Sequence, residues 1–155
     1  MNRFFATVAV LAVGGLLVAG SSGGASRAAD PVLATVVDFQ LTDHTRLAHR
    51  LYYFAYTPAI VLMSVTPASA HSKADAAALQ KVADAYAARG VLFYLVDSNL
   101  GDTRESVSAE VKKQGLRIPV LMDEQQLVGE QLGVQREGEV FVINPKNSSV
   151  AYHGP

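Results

Sequence analysis

Residues Ala59–Asn99, AIVLMSVTPASAHSKADAAALQKVADAYAARGVLFYLVDSN, decide the fold of this chain. Ala59 to Val65 is a continuous apolar run bounded by Pro58 and by Thr66-Pro67. Its length suits a strand buried on both faces. Thr66 is read as the N-cap of the following helix, because its hydroxyl accepts a free backbone N–H of the first turn. Pro67 then takes the first helical position, where its missing N–H costs nothing. Leu79, Val82, Ala83 and Tyr86 recur at helical spacing and predict the buried stripe. Gly90 fits the left-handed residue just past the helix end. Val91 to Val96 is a second apolar run, closed by Asp97-Ser98-Asn99. Strand, helix and strand in succession predict a βαβ unit with parallel strands and a right-handed crossover.

Working outward, Val36 to Leu41 (VVDFQL) alternates as an edge strand does. Thr42 to Arg50 is polar and predicts a turn. Leu51 to Thr57 (LYYFAYT) is aromatic-rich and ends at Pro58, which disfavours helix at the residue before it. Tyr52, Tyr53, Phe54 and Tyr56 read as core or rim packing; several exposed rings would mark a binding patch. Downstream, Asp102-Thr103-Arg104-Glu105 matches a capping box with Asp in the cap position. Val107 and Val111 supply the apolar stripe of that helix, and Gly115 ends it. Ile118 to Met122 is a short strand whose Pro119 favours a sheet edge or the first residues of the strand. Glu124 to Gly133 is a short helical segment. Glu139 to Ile143 and Val150 to His153 form a hairpin through Asn144-Pro145-Lys146-Asn147, a type I turn pattern. The order β, βαβ, αβ, short α, ββ predicts an α/β domain with a central mixed sheet.

The chain of 155 residues contains no cysteine. That excludes every mechanism based on thiolate, disulfide or cysteine-bound metal. Residues 4 to 20 (FFATVAVLAVGGLLVAG) carry no charge, follow Arg3 and lead into small residues. A basic start, an apolar core and a small-residue exit describe a secretory signal peptide. Ser26-Arg27-Ala28 places the cut after Ala28, with Ala25 and Ala29 as alternative sites. This expectation makes residues 1–28 a signal peptide, 29–35 a linker and 36–155 one domain, exported and periplasmic. The alternative is an uncleaved membrane anchor over residues 4–20. Without Arg3 and Arg27, 11 basic side chains face 14 acidic ones, a net charge of −3. No basic footprint for nucleic acid is present.

In order along the chain, VVDFQLTD, IVLMSVTP, YAARGVLFYLVDSN, GDTRESV, PVLMDEQQLVGEQLGV and EVFVINPKNSSVAYHG cover nearly all of residues 36 to 153. This ordered set resembles the thioredoxin-like redoxin group, which includes peroxiredoxin-type (AhpC/TSA) and exported thiol–disulfide domains. The resemblance implies a thioredoxin-like three-layer sandwich. It also implies that a reactive cysteine begins the long helix, where the helix N-terminus lowers its pKa. By position, Thr66 stands in place of that cysteine, Pro67 follows it, and Ser69 stands where a C-x-x-C keeps its second thiol. A threonine hydroxyl cannot replace the thiolate, because the helix dipole offers only about 0.3–2 kcal/mol, roughly one pKa unit. The family also keeps a Thr-Pro pair with a cis-proline before its late strand. Here Glu137-Gly138 occupies that place, and an ordinary trans turn is expected. Similar domains usually close with a helix after the last hairpin, whereas this sequence stops at Gly154-Pro155. That ending predicts a sheet face open to a protein partner or a second copy.

The remaining candidates are weaker. Thr66 has no assignable base, so no catalytic residue is read. His71, in the first turns of the long helix, could meet a ligand or partner at the old pocket, although a solvated helix position is the plainer reading. Asp97 and Asn99 close a strand at its carboxyl end, where open α/β sheets bind ligands; the plainer reading is that they make the turn. His44 and His49 lack metal-ligand spacing, and no metal or cofactor is implied. The reading is an exported thioredoxin-fold protein without thiol chemistry, acting as a binding or accessory domain, with a place as a subunit of an exported redox assembly as its narrower form. The alternatives are a working redoxin of the thiol-peroxidase or disulfide-reductase class, and a small-molecule binder at the vestigial pocket.

Overall fold

The computed structural model of the protein describes residues 35–155. The signal peptide over 1–28 with its cut after Ala28, the apolar stretch 4–20 and all of the linker but Thr35 lie outside the described residues.

Among the described residues, seven strands form one sheet. They are β1 (Gln40–Asp43), β2 (Ala48–Arg50), β3 (Ile60–Val65), β4 (Leu92–Asp97), β5 (Val120–Met122), β6 (Val140–Asn144) and β7 (Ser149–Gly154). Their order across the sheet is β2-β1-β5-β4-β3-β6-β7. The two apolar runs lie side by side, parallel from Ile60↔Leu92 to Val65↔Asp97. β5 extends the parallel set on β4, and β6 returns antiparallel on β3. Every residue of β3 is buried, as a strand flanked by neighbours and covered on both faces requires.

The helices α1 (Ala70–Tyr86) and α2 (Arg104–Gln114) cover one face, over a core of Met63, Leu95, Val107 and Val120. The other face carries Leu62, Tyr94, Leu121 and Phe141, covered by α3 (Leu127–Leu132), Val36 and the 3-10 turn Leu51–Phe54. This is a three-layer thioredoxin-like sandwich whose sheet does not close into a barrel. Complete burial of Phe141 and Ile143 contributes roughly 1.5–3 kcal/mol for each side chain.

Several local expectations are corrected. The first strand is not Val36–Leu41 but Gln40–Asp43, and it is not an edge strand. Residues read only as a turn supply the edge strand β2. The buried Asp43 carboxylate accepts the N–H groups of Thr45 at 2.8 Å and Leu47 at 3.0 Å, folding the chain into a hairpin. Val36 is instead held by its N–H donating to the Ser148 carbonyl at 2.8 Å. β5 is also internal, between β1 and β4. Pro119 precedes it and only accepts there, from the Leu95 N–H at 3.0 Å.

The caps move as well. Ser69, not Thr66, caps α1, so Pro67 lies outside the helix. Thr103, not Asp102, caps α2 and forms a reciprocal box with Ser106. The buried face of α1 keeps Leu79 and Ala83 of the predicted stripe and drops the other two. Ser72, Ala76 and Leu79 face the sheet, while Val82 and Tyr86 are exposed. Gly115 and Gly133 end α2 and α3, and Gly90 ends the 3-10 turn Ala87–Arg89 that follows α1, all at positive φ, where a glycine carries no Cβ penalty.

Candidate functional site

The carboxyl ends of β3 and β4 meet the N-terminus of α1, the body of α3 and the loop 134–139. Ser69 opens α1 in extended backbone conformation, and its Oγ accepts the N–H groups of His71 at 3.2 Å and Ser72 at 3.5 Å. One turn further, Ser72 is buried and its Oγ accepts the Thr66 N–H at 2.9 Å. Both hydroxyls donate to one carboxylate. Ser69 reaches Glu137 Oε1 at 2.8 Å, and Ser72 reaches Oε2 at 2.7 Å. The hydroxyl of Ser72, then that of Ser69, holds the Glu137 carboxyl below its usual range, with His71 adding a smaller charge effect. The arrangement places a fixed negative charge at the positive end of α1.

Ser64 sets the position of the loop that carries Glu137. Its buried hydroxyl donates to the Arg136 carbonyl at 2.7 Å and accepts the Glu139 N–H at 3.0 Å. The Gly138 N–H donates to the Ser64 carbonyl at 2.8 Å. Gly138 has φ +82°, and a Cβ there would stand 2.7 Å from Asp75 Oδ2. No peptide bond among the described residues is cis.

Beside Glu137 a cleft of about 400 Å³ opens, lined by Thr66, Ser98, Asn99, Gln126, Arg136 and Glu137 among others. Its α3 wall is fastened by Asp123, which accepts from Ser98 Oγ at 2.8 Å and from the N–H groups of Val128 and Gly129. Polar residues share the lining with Val65, Val96 and Val134. The cleft can hold a small polar ligand by hydrogen bonds, and it has no thiol to attack one.

The other predicted residues fall in different surroundings. Thr66 is half-buried at the cleft, and Pro67 is buried beneath the α1–α2 side. His71 is exposed and pairs with Asp75 at 3.4 Å along the helix. Asn99 reaches the cleft, whereas Asp97 does not line it. Burial pushes Asp97 up to about 7, opposed by the Asn99 N–H and assisted by Asp102 and Asp123. Outside the cleft, His44 Nδ1 accepts the Val120 N–H at 3.2 Å, and His49 Nε2 lies 2.8 Å from Asp43. His153 stacks on Phe141 with ring centroids 4.4 Å apart. Tyr52, Tyr53 and Tyr56 are exposed and do not pack into the core.

Sequence reasoning missed Ser64, Ser72 and Asp123. Only Ser72 left a signal, the Ser69-x-x-Ser72 spacing at the start of a helix.

The AhpC/TSA family matches this chain over residues 32–152. No curated protein matches it. Among solved structures, it is similar to a hypothetical protein from Sinorhizobium meliloti 1021 at 27% identity and TM-score 0.71, covering 80% of this chain and 70% of that one. It is also similar to the peroxidoxin BcpB from Mycobacterium tuberculosis, at 22% identity and TM-score 0.67, covering 77% and 82% of the two chains. A secreted disulfide oxidoreductase of Mycobacterium tuberculosis, homologous to DsbE of E. coli, shares 19% identity at TM-score 0.60, covering 72% and 79%. The last two likenesses, under 25% identity, are likenesses of fold.

Proposed function

The chain belongs to the AhpC/TSA family, and from that premise we propose that it is an exported member without thiol redox chemistry that acts as a binding domain. One observation carries this reading: the Glu137 carboxylate sits on the two hydroxyls at the start of α1. Family resemblance puts the reactive thiol where the long helix begins. In this chain Ser69 begins that helix and Ser72 follows at the spacing of a C-x-x-C. We therefore place the vestigial pair at Ser69 and Ser72, one step along from Thr66 and Ser69. The carboxylate supplies the anion that a thiolate would have supplied to the same helix end. The neighbouring cleft remains open for a small polar ligand.

The test has two arms. Pure protein is assayed for thiol-dependent peroxide reduction and insulin reduction, with no turnover above buffer expected; turnover would refute the reading. A panel of small polar metabolites is then screened by thermal shift. At least one is expected to raise Tm for the native chain and not for Thr66→Trp, which fills the cleft. No shift across the panel would count against a ligand at this site.

A second reading, an accessory subunit, draws support from Tyr52, Tyr53 and Tyr56, which are 70%, 63% and 80% exposed on one short turn. Exposed aromatic rings of this kind are enriched at interfaces. A partner recovered with the native protein from the exported fraction should be absent with the triple serine variant. Recovery of monomer alone would weaken this reading.

A further inference from the structure

We infer that the loop closing β4, Asp97 to Asp102, binds a divalent oxygen-seeking cation of the Ca²⁺ class through Asp97, Asn99 and Asp102. The stretch reads Asp97-Ser98-Asn99-Leu100-Gly101-Asp102. Alternation along β4 turns Asp97 to the α1–α2 side of the sheet, away from the cleft. Its side chain is 2% exposed. Oδ1 accepts the Asn99 N–H at 3.0 Å, while Oδ2 is buried with no hydrogen-bond partner. A buried carboxylate oxygen in that condition calls for a proton or a cation.

The neighbours favour a cation. Asn99 ties Asp97 to Asp102, its N–H on the first carboxylate and its Nδ2 on the second, and the charges of Asp102 and Asp123 both raise the Asp97 carboxyl. Neither Asp97 nor Asp102 has a basic partner among the ion pairs of the described residues. Arg104, two residues beyond the loop, is turned to the Asp43 carbonyl, Thr42 and Glu124 instead. Asn99 bridges the loop, donating from Nδ2 to Asp102 Oδ2 at 3.0 Å, with its Oδ1 3.4 Å from the Gly101 N–H. Two carboxylates and an amide thus lie on one short loop; the amide turns its Nδ2 to Asp102, and a bound cation would turn its Oδ1 there instead. No group of three His, Cys, Asp or Glu suited to a metal occurs among the described residues, so the amide serves as the third side-chain ligand. Ca²⁺ accepts such mixed sets and completes six to eight oxygens with backbone carbonyls and water. Mg²⁺ demands a tighter octahedron and fits an open loop less well.

The test uses the full chain, freed of metal with a chelator and dialysed. CaCl₂ and MgCl₂ are titrated at pH 7.5 by calorimetry, in two buffers of different ionisation heat, alongside thermal melts. One Ca²⁺ per chain is expected, with proton release, a Tm rise of several degrees and weaker Mg²⁺ binding. Asp102→Asn should weaken Ca²⁺ at least tenfold. Asp97→Asn should abolish binding while raising Tm of the metal-free protein. If Asp97→Asn fails to fold, Asn99→Ala takes its place and should weaken binding similarly. Absence of heat and of a Tm shift at millimolar Ca²⁺ would overturn the proposal and leave Asp97 holding a proton only. Equal Ca²⁺ responses in the native chain and Asp102→Asn would also overturn it, placing the ion elsewhere.

Discussion

Glu137 and Asp97 stand close to the same end of the sheet, yet their surroundings move them in opposite directions. Glu137 accepts two hydroxyl donors, which favour its charged form. Its folded pKa lies below the unfolded value of 4.5, so its contribution is complete above that value and is lost as pH falls through the folded pKa. Glu137→Gln should therefore lower Tm at pH 7, and the difference should shrink towards pH 3 in a series of thermal melts. Asp97 is the reverse case. Its folded value of about 7 exceeds the unfolded 3.8, so its contribution is complete below 3.8 and is lost as pH rises to 7. In chelator, Asp97→Asn should be more stable than the native chain at pH 8, by roughly 1–3 kcal/mol. Urea unfolding at pH 8 and pH 4 checks this; the gain should disappear at the lower pH.

At the scale of elements, the start of α1 separates two cap assignments. Ser69→Ala removes the hydroxyl that serves His71, Ser72 and Glu137 and should cost about 1 kcal/mol or more. Thr66→Ala removes no side-chain bond to the helix N-terminus and should cost less. Urea unfolding of the two variants decides between them. Sequence pattern supplied the existence of α1 because its many Ala, Leu and Lys residues favour helix and its apolar residues recur at helical spacing. It misplaced the cap because TPASAHS offers several hydroxyl-bearing residues, and local chemistry does not rank them. The ranking comes from Glu137, 68 residues away from Ser69. The edge hairpin was obscure for a similar reason. Asp43 closes its turn with its own side chain, and β2 is too short and polar to show a strand period.

For the whole molecule, the proposal that Ser69 and Ser72 stand where a redox relative keeps two thiols makes a direct prediction. Ser69→Cys with Ser72→Cys should form an internal disulfide under mild oxidation, detected as the loss of two titratable thiols that return on reduction. Two thiols that stay free under oxidant would argue that these are not the vestigial positions. The sandwich should survive the exchange, since its core lies in β3, β4 and β6 and does not depend on the serines.

The sequence by itself determined the βαβ unit, the β6–β7 hairpin and the absence of cysteine. The first two rest on apolar runs and turn residues that act over a few positions; the third is a matter of composition. Only the tertiary structure decided which serine caps α1, that Glu137 lies across both hydroxyls, and that Asp97 loses its solvent on one oxygen. Each of these depends on distant segments meeting at the end of the sheet. Burial and hydrogen-bond partners belong to that meeting, and no local stretch of sequence carries them.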